Sequence, residues 1–257
     1  MTSDDRGSSS ISTDEGPRSS GSGGRSDDDA KGRTGRAKRK QLPLWQETIL
    51  LLGVALVLAI VIKTFFVQAF YIPSESMEPQ FVKNDRILVQ KVSYWGSATP
   101  SRGDIVVFKD PGGWLDETDA STPHSPVTKL MEKIGLYPTG GHLVKRVIGV
   151  GGDRIICCDS QGRITVNGHP LNEKAYLPKG TPPSQIKFDR KVPKNHLWMM
   201  GDNRSFSYDS RGHMGGPGGG FVDQDLVVGK VFSLIWPAKR AEIIHRPKTF
   251  EDIPDAK

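Results

Sequence analysis

Two serines stand two residues apart between a pair of prolines in Ile72-Pro73-Ser74-Glu75-Ser76-Met77-Glu78-Pro79. A serine hydroxyl is a weak nucleophile until a neighbouring base takes its proton, and a neutral lysine can serve as that base in place of histidine. One lysine has the setting for it. Lys145 lies inside the apolar run Leu143-Val144-Lys145-Arg146-Val147-Ile148. On a strand, side chains alternate, so Lys145 shares a face with Leu143 and Val147 while Arg146 points with Val144 and Ile148. If both faces are covered, at least one of these cations leaves open water. Burial disfavours the ammonium and lowers its pKa, the direction a general base requires. Holding a lysine neutral near pH 7.4 asks its surroundings for about 4 kcal/mol.

A third segment, Gly201-Asp202-Asn203-Arg204-Ser205-Phe206-Ser207-Tyr208-Asp209-Ser210-Arg211, is dense in donors, acceptors and both charges. Asp202, Arg204, Asp209 and Arg211 read as mutual ion pairs, and the serines as groups that orient a neighbour. Each segment also has a plain reading: a Ser-rich turn, an edge strand with a salt bridge, a hydrogen-bonded loop capping a sheet. The histidines (His124, His142, His169, His196, His213 and His245) lack ligand spacing, so neither a zinc centre nor a Ser-His-Asp triad is supported.

These residues must be held by a chain whose 257 residues are 36% hydrophobic, a low figure whose deficit sits at the front. Residues 1–43 are rich in Ser, Gly, Asp and Arg and read as a disordered tail, since too little apolar surface is available to offset the entropy of ordering. Its charge is blocked, with Asp27, Asp28 and Asp29 followed by Lys31, Arg33, Arg36, Lys38, Arg39 and Lys40. A net charge of +6 raises the possibility of nucleic-acid binding, but the placement of the basic run favours a membrane.

The run is followed by Thr48–Ile62 without a charge, and apolar character resumes after Lys63. About 20 apolar residues cross a bilayer as a helix, so residues 44–71 read as a single transmembrane anchor with aromatic residues near both ends and Lys63 able to snorkel. Basic residues before the span place the tail in the cytoplasm and residues 72–257 outside the cell membrane. A buried core helix is the bland alternative. A cleavable signal peptide is another, with Val67-Gln68-Ala69 resembling a cleavage site.

Beyond residue 72 the pattern is short β-branched and aromatic runs, at 86–92, 104–108, 143–150, 154–158, 163–166, 196–200 and 227–235, punctuated by Gly, Pro, Asp and Asn. The expected fold is mainly β, an antiparallel barrel or sandwich, with an insertion at 111–141 holding one helix near 127–136. The two cysteines, Cys157 and Cys158, are adjacent. Neighbours on a strand point to opposite faces, so they are expected to be free thiols.

Taken in order, the anchor, Ile72–Pro79, Arg102-Gly103-Asp104-Ile105-Val106-Val107-Phe108, Lys145-Arg146-Val147-Ile148-Gly149 with Gly152-Asp153, and Gly201–Arg211 resemble the bacterial type I signal peptidase family. The resemblance covers about residues 45–236. It implies a membrane-bound Ser-Lys endopeptidase that removes signal peptides from exported preproteins after small residues of the Ala-x-Ala type. By resemblance, Ser76 is the nucleophile, Lys145 its general base, Ser74 an oxyanion donor and Ser207 the residue orienting the lysine. Arg146, Asp202, Asp209 and Arg211 would support the loops, and Ile72, Met77, Phe81 and Val144 would line shallow substrate pockets. The resemblance implies no cofactor and no metal. The implied partners are signal peptides, membrane lipid and the protein export machinery, with no nucleic acid. Gln80 and Gly151 depart from the family's usual threonine and proline. Two competing functions use similar parts: a catalytically silent β module binding exported peptides or envelope polymer, and a self-cleaving Ser-Lys regulator. The pair Ser76 and Lys145 argues against the first; the anchor and the lack of a helix-turn-helix pattern argue against the second.

Overall fold

The computed structural model describes residues 43–96, 98–115 and 141–256. Among the described residues there is one α-helix, α1 (Leu44–Phe65), whose charge-free stretch Thr48–Ile62 presents apolar side chains on all sides, with Leu50, Val54, Val57 and Leu58 exposed. The stretch Leu44–Ile62 has a mean hydropathy of 2.2, long and apolar enough to cross a membrane.

The helix ends earlier than the composition led us to expect. Val67–Tyr71, read above as the last part of the anchor, is strand β1 and pairs antiparallel with β2 (Arg86–Gln90). Val67, Phe70 and Tyr71 are residue types that favour strands, and hydropathy alone cannot separate a helix from a largely apolar strand that continues it.

The remaining strands are β3 (Ile105–Lys109), β4 (His142–Val150), β5 (Arg154–Cys157), β6 (Ile164–Val166), β7 (His169–Pro170), β8 (Phe188–Lys191), β9 (His196–Met200), β10 (Val222–Asp223), β11 (Val227–Trp236) and β12 (Glu242–Ile243). They form two antiparallel sheets. The larger runs β1-β2-β11-β3-β4-β9-β10, with β12 also on β11, and the smaller runs β7-β6-β5-β8. The mainly β, antiparallel expectation holds. Most of the 111–141 insertion, with its expected helix near 127–136, lies outside the described residues.

Strand β4 matters most for the site. It lies inside the larger sheet between β3 and β9, with Lys145 opposite Val106 and Arg146 opposite both Ile105 and Met200. One apolar cluster gathers Phe70, Ile72, Met77, Phe81, Ile87, Val89 and Leu234 beneath the turn that follows β1. A second packs Ile148, Ile155, Trp198 and Met200 against the smaller sheet.

The cysteines correct the expectation of free thiols, because Cys157 and Cys158 are joined in a disulfide. Strand β5 ends at Cys157, so Cys158 is outside the ladder and the alternation of faces no longer separates the two sulfurs.

Candidate active site

Ser76 and Lys145 are separated by 69 positions in sequence and meet where the β1–β2 connection crosses β4. Lys145 Nζ lies 2.6 Å from Ser76 Oγ. Both are nearly sealed from solvent, at 4% and 6% exposure. Ser74 Oγ is 3.2 Å from Ser76 Oγ, so the two hydroxyls and the amine form a short chain. Among the described residues Lys145 has no ion-pair partner within contact distance. Burial pulls its ammonium down to about 8, against the more distant charges of Asp209 and Asp202, which favour the cation.

The turn carrying Ser76 is held from below and from the side. Met77 and Phe81 fill the apolar cluster, and the Phe81 N–H donates to the Met77 carbonyl. Across the gap, the Asn203 backbone N–H donates to the Ser76 carbonyl at 3.1 Å, and Asn203 Nδ2 donates to the Glu75 carbonyl at 3.2 Å. Gly201 fits between the two loops because it lacks a side chain. A Cβ there would lie 2.3 Å from Ser207 Oγ and 2.4 Å from the Ser76 carbonyl oxygen.

Ser207 comes to the site, but its hydroxyl donates to Asp209 Oδ2 at 2.7 Å, and no hydrogen bond to Lys145 accompanies it among the described residues. Asp209 also accepts from the Gly201 N–H at 3.0 Å and from Arg211 Nε and Nη2 at 2.9 and 2.8 Å. Burial raises the Asp209 carboxyl, and the contacts to Arg211, Gly201 and Ser207 outweigh it and hold the group below its ordinary value.

The expected mutual ion pairs of this loop are re-sorted. Only Arg211 and Asp209 pair with each other. Asp202 instead takes Arg146 from β4 in a two-point contact of 2.8 and 2.6 Å, and Arg204 takes Glu173 at 2.6 Å. Tyr176 lies under the Arg146 guanidinium at 4.3 Å and donates its hydroxyl to Glu173. Arg102 reaches Asp153 with two contacts of 2.7 and 2.6 Å, joining two of the sequence segments.

Of the expected pocket residues, Ile72, Met77 and Phe81 are core side chains, and Val144 packs at the edge of their cluster. Glu173 and Tyr176 were missed by sequence reasoning because their loop carries no pattern. Gly201 and Asn203 stood inside a recognised segment, yet nothing in their identity announces a contact with Ser76.

A family description, "Signal peptidase, peptidase S26", matches residues 45–236, three quarters of the chain. The chain belongs to the signal peptidase family. It is 35% identical over 233 residues to the probable signal peptidase I of Mycobacterium leprae, covering 79% of this chain and 79% of that protein. Identity to the signal peptidase I of Mycobacterium tuberculosis is 36% over 233 residues, covering 81% and 77%. A probable signal peptidase I-2 of Synechocystis is 35% identical over 211 residues, covering 81% and 82%. In this signal peptidase family member, Ser74, Ser76, Lys145 and the Gly201–Arg211 loop all lie inside the matched span. Residues after 236 lie outside it but remain attached: Arg240 pairs with Asp85, and Phe250 joins the second apolar cluster.

Proposed function

We propose that the chain is a membrane-anchored serine endopeptidase that removes signal peptides from exported preproteins by a Ser-Lys mechanism. The observation that carries this reading is the 2.6 Å contact between Lys145 Nζ and Ser76 Oγ in a setting nearly free of solvent. With Lys145 neutral, the contact reverses and the Ser76 hydroxyl donates to the amine. As Oγ attacks the scissile carbonyl carbon, its proton passes to Lys145. The carbonyl oxygen gains negative charge and is received by the Ser76 N–H and the Ser74 hydroxyl, each such donor being worth about 2.7–4 kcal/mol at the barrier. Lys145 then hands the proton to the departing amine. In the second half, water gives a proton to the lysine and attacks the acyl-enzyme carbonyl carbon; the ester bond to Ser76 Oγ then breaks, Oγ takes the proton back from Lys145, and the signal peptide leaves with a free carboxyl terminus.

The substrate would lie extended, with small side chains before the cut, of the Ala-x-Ala type, seated where Val144 borders the filled cluster of Ile72, Met77 and Phe81. Main-chain hydrogen bonds to a strand edge suit such a peptide. Helix α1 would anchor the enzyme with the basic tail in the cytoplasm, placing Ser76, five residues beyond the end of β1, near the outer membrane face.

The test is cleavage of a preprotein carrying an Ala-x-Ala site by detergent-solubilised enzyme and by Ser76→Ala, with the cut located by mass spectrometry. A single cut after the second alanine that disappears in the variant is expected. A folded wild type that cuts nothing, or a variant that cuts normally, would overturn the reading.

A further inference from the structure

The turn that carries Ser76 has two faces with different surroundings. Met77 and Phe81 point into the core. Glu78, Pro79 and Val82 instead line an open groove of about 690 Å³, closed on its other side by Asn203, Ser205, Phe206, Pro178, Thr181 and Arg240. None of Ile72, Met77, Phe81 and Val144 takes part in it. The groove nonetheless adjoins the site: Asn203 in its wall is the residue whose N–H donates to the Ser76 carbonyl, and Glu78 and Pro79 follow Ser76 by two and three residues.

Phe206 stands out in this wall. The residue is 71% exposed one position before Ser207, although a large apolar side chain gains by leaving water. Arg240 across the groove is already engaged by Asp85 and by the Pro79 and Gln80 carbonyls. The Glu78 carboxylate makes no hydrogen bond or ion pair among the described residues. Apolar contacts from Phe206, Pro79, Val82 and Pro178 therefore dominate the groove, with one uncommitted negative charge at its edge.

An extended substrate crosses the nucleophile once, so its two halves lie on different sides of Ser76. If the residues before the cut take the Val144 side, the chain after the cut leaves along the other. We infer that this groove receives the first residues of the mature protein, the segment just after the cleaved bond, and that Phe206 selects for an apolar side chain there. This inference rests on the signal peptidase reading given above.

The test uses two full-length preproteins with the same signal peptide and Ala-x-Ala site, one bearing bulky apolar residues at mature positions two to four and the other glycines. The quantity read is the ratio of their kcat/KM values, for wild type, Phe206→Ala and Tyr208→Ala in detergent. Tyr208 is a suitable control because it is 65% exposed on the same loop but packs on His213 outside the groove. Phe206→Ala is expected to lower the ratio about fivefold, the size of one aromatic contact, with Tyr208→Ala keeping the wild-type ratio. A ratio unchanged within twofold in Phe206→Ala would overturn the inference. So would an equal shift in both variants, which would mean general loosening of the loop. Failure of the wild type to cut either preprotein would instead strike the signal peptidase reading itself.

Discussion

Lys145 and Arg146 are neighbours on β4, 4% and 1% exposed, and the fold treats their charges in opposite ways. Arg146 meets a carboxylate, a backbone carbonyl and an aromatic face, so its charge is fully compensated inside the protein. Lys145 meets a hydroxyl and no carboxylate in contact, and its proton affinity falls until the neutral amine is accessible near physiological pH. Alternation along one strand is enough to place the two side chains in different electrostatic worlds. Arg146 is held by a carboxylate in contact, whereas Lys145 has none in contact among the described residues.

The largest effect expected from this contrast is on Lys145→Met. Cleavage should fall by about 10⁴-fold or more, since nucleophile and base act as a unit. Folding should not suffer: removing a desolvated cation is expected to leave stability at pH 7 unchanged or raised by about 1–3 kcal/mol, read by denaturant unfolding in detergent. The sign extends to higher pH. An unfolded lysine holds its proton up to about 10.5 whereas the folded one releases it near 8, so the unfolded chain binds more protons between those values. Wild-type stability should therefore rise relative to the methionine variant across that window.

Asp202→Asn probes the other neighbour. It leaves the Arg146 guanidinium buried without its counter-charge, and a loss of about 3–5 kcal/mol in the same unfolding measurement is expected. Equal stability of Asp202→Asn and wild type would erase the proposed difference between the two faces.

Gly201→Ala tests spacing without touching either charge. The added methyl collides with Ser207 Oγ and the Ser76 carbonyl, so the two loops must separate. A fall of about 10²-fold in kcat is expected, the usual result of ångström-scale misplacement. A wild-type kcat would show that the approach of these loops is irrelevant to the chemistry.

The smallest effect is the pH profile of the wild type. Only the neutral amine accepts a proton, so kcat/KM should climb about tenfold per pH unit below 8 and level off above it. A profile flat from pH 6 to 9 would remove Lys145 as the base.

Several features were legible from the chain alone because they are local. Apolar length gave the helix, and β-branched runs between turn residues gave the main strands with errors of one or two residues at their ends. The alternation of Leu143 to Ile148 foretold that a cation would be drawn from water, and both were. The end of the helix was not legible, since Val67, Ala69, Phe70 and Tyr71 prolong the run of apolar and aromatic residues and the pairing of this segment with β2 shows only in the fold. The state of Cys157 and Cys158 was misread for a related reason. Strand alternation was extended one residue past the point where the ladder stops.

What the sequence determined by itself was the set of chemical parts and the periodicities that orient them: two serines between prolines, a lysine in an apolar strand, a loop dense in charges of both signs. Only the tertiary structure decided which parts meet. Ion-pair partners within Gly201–Arg211 could not be assigned from spacing, because Asp202 is claimed by Arg146 and Arg204 by Glu173, groups far away in sequence. Likewise the lowered affinity of Lys145 for its proton depends on the absence of a carboxylate within contact, and on walls brought in by β3, β9 and the Ser76 turn. Composition lists the charges a chain carries; the distances between them, and the water excluded around them, exist only once distant segments have packed.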